Sequence, residues 1–360
     1  MKKILSVIIA ATLALSVLAG CGGGTSGGGS GTTSGGASEP ILLKVNNFAP
    51  GVLPFGIGID HAAEYIERES NGAIEVQVYH DGTLLAFNDT YQGVRQNVAD
   101  IAIAGPVATD SLVTLNGILT TMMQKYLTVD MQAMTDACYE LIDAVPELQE
   151  EMESYGVRWL GFYTMLGANI HCKGIKPLTP DDLKGVGTEA PGSVSGYFAL
   201  MGANAVTNDP GDSYLAMERG IVKAHAGTWT ALDGYKIVEQ TDYHLLFGAD
   251  GGGIIFGAMG YIINADTWHS LSPEHQKIVW DAFRAASTLT IELDKPAGES
   301  AVSYSEEHGH EFVYLTTEAE LAPWFDYIDQ FNARWVERVS AAGFPAQSTL
   351  DKFEELLAKG

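Results

Sequence analysis

The chain has 360 residues, 46% of them hydrophobic, and its 45 Asp and Glu outweigh 20 Lys and Arg to give a formal net charge of −25. Such a surface excludes nucleic acid as a partner, because that binding depends on Lys and Arg neutralising phosphates. The acidity otherwise bears on solubility more than on chemistry.

The first forty residues are unlike the rest. Lys2 and Lys3 precede an almost unbroken apolar or small run from Ile4 to Gly20, closed by Leu18-Ala19-Gly20-Cys21. About 20 apolar residues are needed to cross a bilayer, and this shorter run with its small-residue ending reads as a cleaved secretory signal over residues 1–20. Leu-Ala-Gly-Cys resembles the lipobox of bacterial lipoproteins, which implies cleavage before Cys21 and lipid on that residue. Residues 21–40 are then a tether, since Gly22 to Ser38 is built almost wholly of Gly, Ser and Thr and such a composition stays flexible. The expected location is outside the cytoplasm, anchored by lipid to the outer face of the cytoplasmic membrane, or facing the periplasm where the host has two membranes. Roughly 320 residues remain, enough for two domains of ordinary size.

Ile41 to Phe48 opens the body as a strand, and a loop through Pro50, Gly51 and Pro54 leads to a helix from about Gly58 to Ser70. Ile74, Val76 and Val78 alternate with Glu75, Gln77 and Tyr79, the period of a half-buried strand. Asn88 is placed to cap a helix carrying Tyr91, Val94 and Val98 on one face, and Asp100 to Gly105 reads as a buried strand. Strand, helix, strand, helix, strand points to an α/β domain with a mostly parallel sheet. A helix over Asp130 to Ser154 and a strand-rich Gly156 to Leu166 follow. Thr179-Pro180-Asp181-Asp182 starts a short helix with a hydroxyl cap and carboxylates at its positive end. Val186 to Ala190 is extended, and Pro191-Gly192-Ser193 leads into a helix reaching Met201. Another helix is expected from Ser213 to Arg219 and a strand from Ile221 to Ala226. Ser272-Pro273-Glu274 caps a long helix that Pro296 is expected to kink or end, and Asp351 to Ala358 forms a terminal helix.

Catalytic and cofactor motifs are missing from the sequence. Gly192-Ser-Val-Ser-Gly196 places Val194 where a nucleophile elbow needs serine, and there is no HExxH or P-loop. Gly248 to Gly260 is rich in glycine without a Lys or Arg, which suits a hinge or a close backbone approach better than a phosphate cradle. No Cys or His spacing matches a metal site, and no cofactor is expected. Cys138 and Cys172 read as separate buried thiols, although an oxidising compartment would permit a disulfide.

Several stretches in order resemble the DctP-like solute receptors of tripartite ATP-independent periplasmic (TRAP) transporters. Ser70-Asn-Gly-Ala-Ile-Glu-Val-Gln-Val-Tyr79 with Gly82-Thr-Leu84 resembles the family's early strand and turn. Gln92-Gly-Val-Arg95 with Val98-Ala-Asp-Ile-Ala102 resembles its "G-x-x-D-I" segment, and Leu178-Thr-Pro-Asp-Asp-Leu-Lys-Gly185 its "T-P-E-D-L-K-G". Met201-Gly-Ala203, then Tyr214-Leu-Ala-Met-Glu-Arg-Gly220, is similar to "L-G-A" and "Y-x-A-L-Q-x-G". Ile262-Ile-Asn264 with Trp268-His-Ser-Leu-Ser272 is similar to "N-x-x-x-W-x-x-L". The resemblance covers about residues 41 to 345. It implies a two-lobed α/β fold of the periplasmic-binding-protein type II class, with mixed sheets flanked by helices and a long helix crossing both lobes. Lobe I is expected over 41–166 and 255–294, lobe II over 167–254 and 295–345, and a C-terminal helix over 346–360. The implied function is capture of a small organic solute for a TRAP membrane permease, not enzymatic turnover.

The resemblance also marks a departure. Where the family usually has an arginine that holds a substrate carboxylate, Leu183-Lys-Gly-Val-Gly-Thr-Glu-Ala190 puts Glu189. An upstream position that is often basic falls in Gly167-Ala-Asn169, and the family's "V-D-G-x-x-N" is replaced by Val222-Lys-Ala-His-Ala-Gly227 with Trp229 just beyond. A charge-assisted hydrogen bond contributes about 1.5–3 kcal/mol, and reversing the charge turns it into repulsion. The expected ligand is therefore cationic or neutral, met by Glu189 together with Phe48, Asn169, Tyr214 and Trp229. Two alternatives stand beside it. One is a carboxylate held by free N–H groups after Pro191, helped by His171, Lys173 or His225. The other is a ligand-sensing lipoprotein that has no permease.

Overall fold

The computed structural model describes residues 39–105, 112–120, 125, 130–165, 167–254 and 257–359. The signal segment, Cys21, and the tether as far as residue 38 lie outside the described residues. Strands β1 (Ile41–Asn46), β2 (Ile74–Tyr79), β3 (Ile101–Ala104) and β4 (Val157–Thr164) come first in the chain. Then follow β5 (Asn169–Cys172), β6 (Gly187–Glu189), β7 (Asn204–Val206), β8 (Ala224–Gly227) and β9 (Tyr243–Phe247). The chain ends its sheets with β10 (Ala258–Asn264) and β11 (Glu311–Leu315).

These strands form two mixed sheets, in the orders β2-β1-β3-β10-β4 and β11-β9-β5-β8-β6-β7. The pattern of the sequence dictates where each strand sits. β2 alternates buried and exposed positions and takes the edge, whereas the apolar run of β3 is buried throughout and lies in the middle, as a strand covered on both faces must. β10 returns from the second lobe and inserts antiparallel between β3 and β4.

One helix, Pro273–Glu307, is 35 residues long, about 50 Å at 1.5 Å per residue. It packs closely on helix Pro54–Glu69 in the first lobe, where a side chain at Gly58 would lie 2.5 Å from Thr290 Oγ1. Near its other end Gly298 lies against Trp229 in the second lobe, an added Cβ meeting that side chain at 2.9 Å. Pro296 does not end this helix. Proline costs the helix one backbone hydrogen bond, and packing against both lobes outweighs that loss.

Helix Glu318–Ala341 is shared in the same way. Leu321, Trp324 and Ile328 join the core of the second lobe, whereas Trp335 and Val339 join that of the first, beside Leu350 and Phe353 of the terminal helix Ala346–Leu357.

Other expectations need correction. The helix expected over 130–154 is two, Met131–Ala144 and Glu147–Tyr155. Pro146 forces Val145 out of the helical region, to φ −128 and ψ 82. Asn88 caps nothing: a 3₁₀ turn, Phe87–Asp89, precedes helix Thr90–Arg95. Asn97 then takes the left-handed conformation at φ 57, so Val98 lies beyond the helix and is 38% exposed. The first helix begins at Pro54, four residues earlier than its periodicity indicates, with the proline in its first turn. Cys138 and Cys172 are both free and buried. Burial pushes the Cys138 thiol up to about 12.

Candidate ligand-binding site

Between the two lobes lies a cavity of about 140 Å³. Its first-lobe wall is aromatic. After β1 the chain is held by two buried asparagines: Asn46 accepts from Leu85 N at 2.9 Å and donates to Leu85 O at 3.1 Å, while Asn47 Oδ1 accepts from Ala49 N at 3.1 Å. Phe48, between them and the turn, thereby projects into the cavity with Phe55 and Phe87. Phe48 and Phe87 meet edge to face, with ring centroids 4.6 Å apart, a favoured arrangement for aromatic pairs.

The opposite wall carries the cavity's ionisable groups. Pairing of β6 with β8 sets Glu189 directly against His225, and both line the cavity while only 3% and 7% exposed. Ser213 Oγ donates to Glu189 Oε1 at 2.5 Å, and His225 Nδ1 stands 3.5 Å from Oε2, beyond ordinary hydrogen-bond length. Burial acts to raise the pKa of Glu189, but His225, Ser213 and Asn208 together hold it below the usual carboxylate range. Four cavity-lining groups keep a buried polar atom without a hydrogen-bond partner among the described residues: Glu189 Oε2, His225 Nδ1, Asn208 Nδ2 and the Tyr235 hydroxyl. Native proteins leave few such atoms, so their convergence on one cavity marks a place for a ligand's polar groups. No Lys or Arg is among the described lining residues.

The lobes touch across the mouth. Asp209 Oδ1 accepts from Asn88 N at 3.3 Å and from Asn88 Nδ2 at 2.8 Å. Leu53 packs so closely on Gly234 that a Cβ there would lie 2.5 Å from it.

The five residues singled out from the sequence do not all converge. Phe48 and Glu189 line the cavity; Asn169, Tyr214 and Trp229 are outside its lining. Asn169 donates to Gly251 O at 2.8 Å and accepts from Phe247 N at 3.0 Å, which ties down the glycine-rich segment. Within that segment Gly253 has φ +85, and a Cβ there would sit 2.4 Å from the backbone of Gly167. Tyr214 is half-buried on helix Ser213–Glu218. Trp229 packs on His171, His244 and Phe312 at 4.7, 4.8 and 5.9 Å, while its neighbours Thr228 and Thr230 face the cavity. Of the auxiliary candidates, His225 lines the cavity. His171 is buried in the second sheet, and Lys173 donates to Gln240 Oε1 and Met217 O. Lys184 pairs with Asp181 and not with Glu189. Phe55, Phe87, Asn208, Ser213 and Tyr235 were not legible as site residues, because each arrives from a separate loop or helix end.

Two mixed α/β lobes joined by crossing helices around a cavity between them define a solute-binding protein. Residues 46–338 match the model of the DctP family, described as bacterial extracellular solute-binding protein, family 7, and the chain belongs to that family, the solute receptors of TRAP transporters. It is 20% identical over 302 residues to the C4-dicarboxylate-binding protein DctB of Bacillus subtilis, covering 82% of each chain. It is 22% identical over 319 residues to the C4-dicarboxylate-binding periplasmic protein DctP of Rhodobacter capsulatus, covering 84% of this chain and 89% of that one. Among solved structures, it is similar to a TRAP solute-binding protein of Rhodoferax ferrireducens in complex with copurified benzoate. The TM-score there is 0.78 at 19% identity, covering 89% of this chain and 98% of the other. A Sulfitobacter TRAP periplasmic protein with bound β-D-galacturonate gives 0.73 at 18%, covering 89% and 100%.

Proposed function

We propose that this receptor captures a small organic solute with a compact apolar body and a neutral or cationic polar head, and delivers it to a TRAP permease. The observation that carries this reading is the polarity of the cavity: its buried ionisable pair is Glu189 with His225, and the described lining holds no Lys or Arg. A second carboxylate brought beside Glu189 would face like-charge repulsion where solvent screening is weak. The apolar body rests against Phe48, Phe55 and Phe87. A thermal-shift panel of amines and quaternary ammonium compounds, neutral polyols, and mono- or dicarboxylates tests it. Ligand at 100 times its dissociation constant stabilises the fold by about 2.7 kcal/mol. The melting temperature is expected to rise with cationic or neutral compounds; a rise with carboxylates alone would overturn the reading.

The carboxylate alternative draws on relatives whose names state C4-dicarboxylate binding and on similar proteins that hold benzoate or galacturonate. In this cavity it requires the anion to be met by the donors of His225 and Asn208 while it stands beside the Glu189 carboxylate.

The N-terminal pattern supports attachment through Cys21, with the Gly/Ser segment as a tether that lets the receptor reach its permease. Full-length protein expressed in a bacterium with the lipoprotein pathway should fractionate with membranes and incorporate labelled palmitate, and Cys21→Ser should do neither. Label retained in that variant would refute the anchor.

A further inference from the structure

We propose that the cavity selects an uncharged cyclic alcohol or phenol, with one hydroxyl seated among Glu189, Asn208 and His225. This rests on the cavity being the solute site and narrows its neutral-or-cationic ligand to one class. The argument is a count of donors and acceptors. Ser213 occupies Glu189 Oε1 at 2.5 Å, leaving Oε2 as an unpartnered acceptor. His225 Nδ1, 3.5 Å away, faces that oxygen. An imidazole nitrogen facing a carboxylate oxygen carries a proton, so His225 Nδ1 presents a donor. The Asn208 amide nitrogen, also buried and unpartnered, is a second donor beside the same carboxylate.

One acceptor and two donors thus meet at one end of the cavity. A hydroxyl offers one donor and two acceptor lone pairs and satisfies all three. An ammonium supplies donors only, and would leave the His225 and Asn208 protons facing a cation. A carboxylate supplies acceptors only, and would leave Oε2 without a donor while adding a second negative charge. An unsatisfied buried group costs about 1–3 kcal/mol, so the pattern discriminates by rejection as much as by attraction. Phe48, Phe55 and Phe87 at the far wall suit a ring, and a cavity of about 140 Å³ suits a small one. The hydroxyl seat also adjoins the closing contact, because Asp209, which receives Asn88 from the other lobe, follows Asn208 directly.

The test uses the full chain, purified, and three probes that share one body: benzyl alcohol, benzylammonium and benzoate, read by thermal shift and titration calorimetry. Benzyl alcohol is expected to raise the melting temperature and the other two are not. Glu189→Gln and Asn208→Ala are each expected to weaken benzyl alcohol by about tenfold, the loss of a hydrogen bond's contribution. Asn208 is half-buried and its amide nitrogen has no hydrogen-bond partner among the described residues, so that variant stays folded if Glu189→Gln does not. No shift with benzyl alcohol, phenol or cyclohexanol overturns the hydroxyl assignment, as does benzyl alcohol binding that neither variant weakens. A shift with benzylammonium alone overturns it but leaves the neutral-or-cationic reading standing; a shift with benzoate alone defeats both.

Discussion

Glu189, His225, His171 and His244 stand in one row across the second sheet, paired in register through β6, β8, β5 and β9. Glu189 was legible in the sequence only through the resemblance, which leads one to expect an arginine near its place. Of the histidines, His171 and His225 were legible only as auxiliary candidates and His244 not at all, since a lone histidine in an apolar strand looks like any half-buried position. Their hydrogen bonds fix a direction. His171 Nε2 donates to Gly227 O at 3.1 Å, so in the neutral ring Nδ1 accepts from His244 Nδ1 at 2.9 Å; His244 Nε2 then accepts from His310 Nδ1 at 3.1 Å. Burial, then His244 and His225, hold the pKa of His171 well below 6.5. Burial, then His310, lower that of His244 to about 3. His310 is itself lowered by burial and by His308, with the Asp242 carboxylate acting the other way. The unfolded chain therefore binds protons near pH 6.5 that the folded chain refuses, at His244 until about pH 3, and stability falls as pH drops below 6.5. Each such histidine contributes a slope of about 1.4 kcal/mol per pH unit. Urea denaturation between pH 7 and 4 should show this loss, and His244→Gln should flatten the slope by about one proton. An unchanged slope in that variant would show that His244 titrates normally.

Element types were largely legible, because alternation in β2, the continuous apolar run of β3 and the capping residues before Pro273 each reflect local physics. Ser272 Oγ accepts from His275 N at 3.2 Å, as a serine before Pro-Glu should. Prolines were the weak point. Pro146 breaks a helix that the hydrophobic period carries straight through, whereas Pro296 sits inside a helix it would end in isolation. The difference is tertiary. Pro296 lies two residues before Gly298, where the second lobe packs against the helix, and Thr230 Oγ1 donates to the nearby Asp294 carbonyl at 3.0 Å. Nothing within the helix sequence announces those partners. The same limit explains the site residues that were missed: Asn208 and Ser213 follow β7, and Tyr235 ends the helix after β8, so only the assembled fold brings them to one cavity with Glu189.

At the scale of the whole molecule, the cavity exists only because both lobes face it, and among the described residues few polar contacts cross its mouth. The Asn88–Asp209 pair is one, a carboxylate taking two donors from a 3₁₀ turn of the other lobe. Both residues are partly solvent-accessible, so water competes for each bond and the net contribution is modest, about 1 kcal/mol. A contact of that size is suited to a closing interface, strong enough to bias the lobes toward each other and weak enough to release a solute. Asp209→Ala removes the acceptor without touching the core of either lobe. Small-angle scattering of the ligand-free protein is expected to give a larger radius of gyration for this variant than for the parent chain. Its melting temperature should change little, since the cores beneath are separate from the contact. A scattering profile that superimposes on the parent would mean that the apolar contact of Leu53 with Gly234 and the two crossing helices hold the lobes together unaided. The balance between open and closed forms would then be set by the ligand alone.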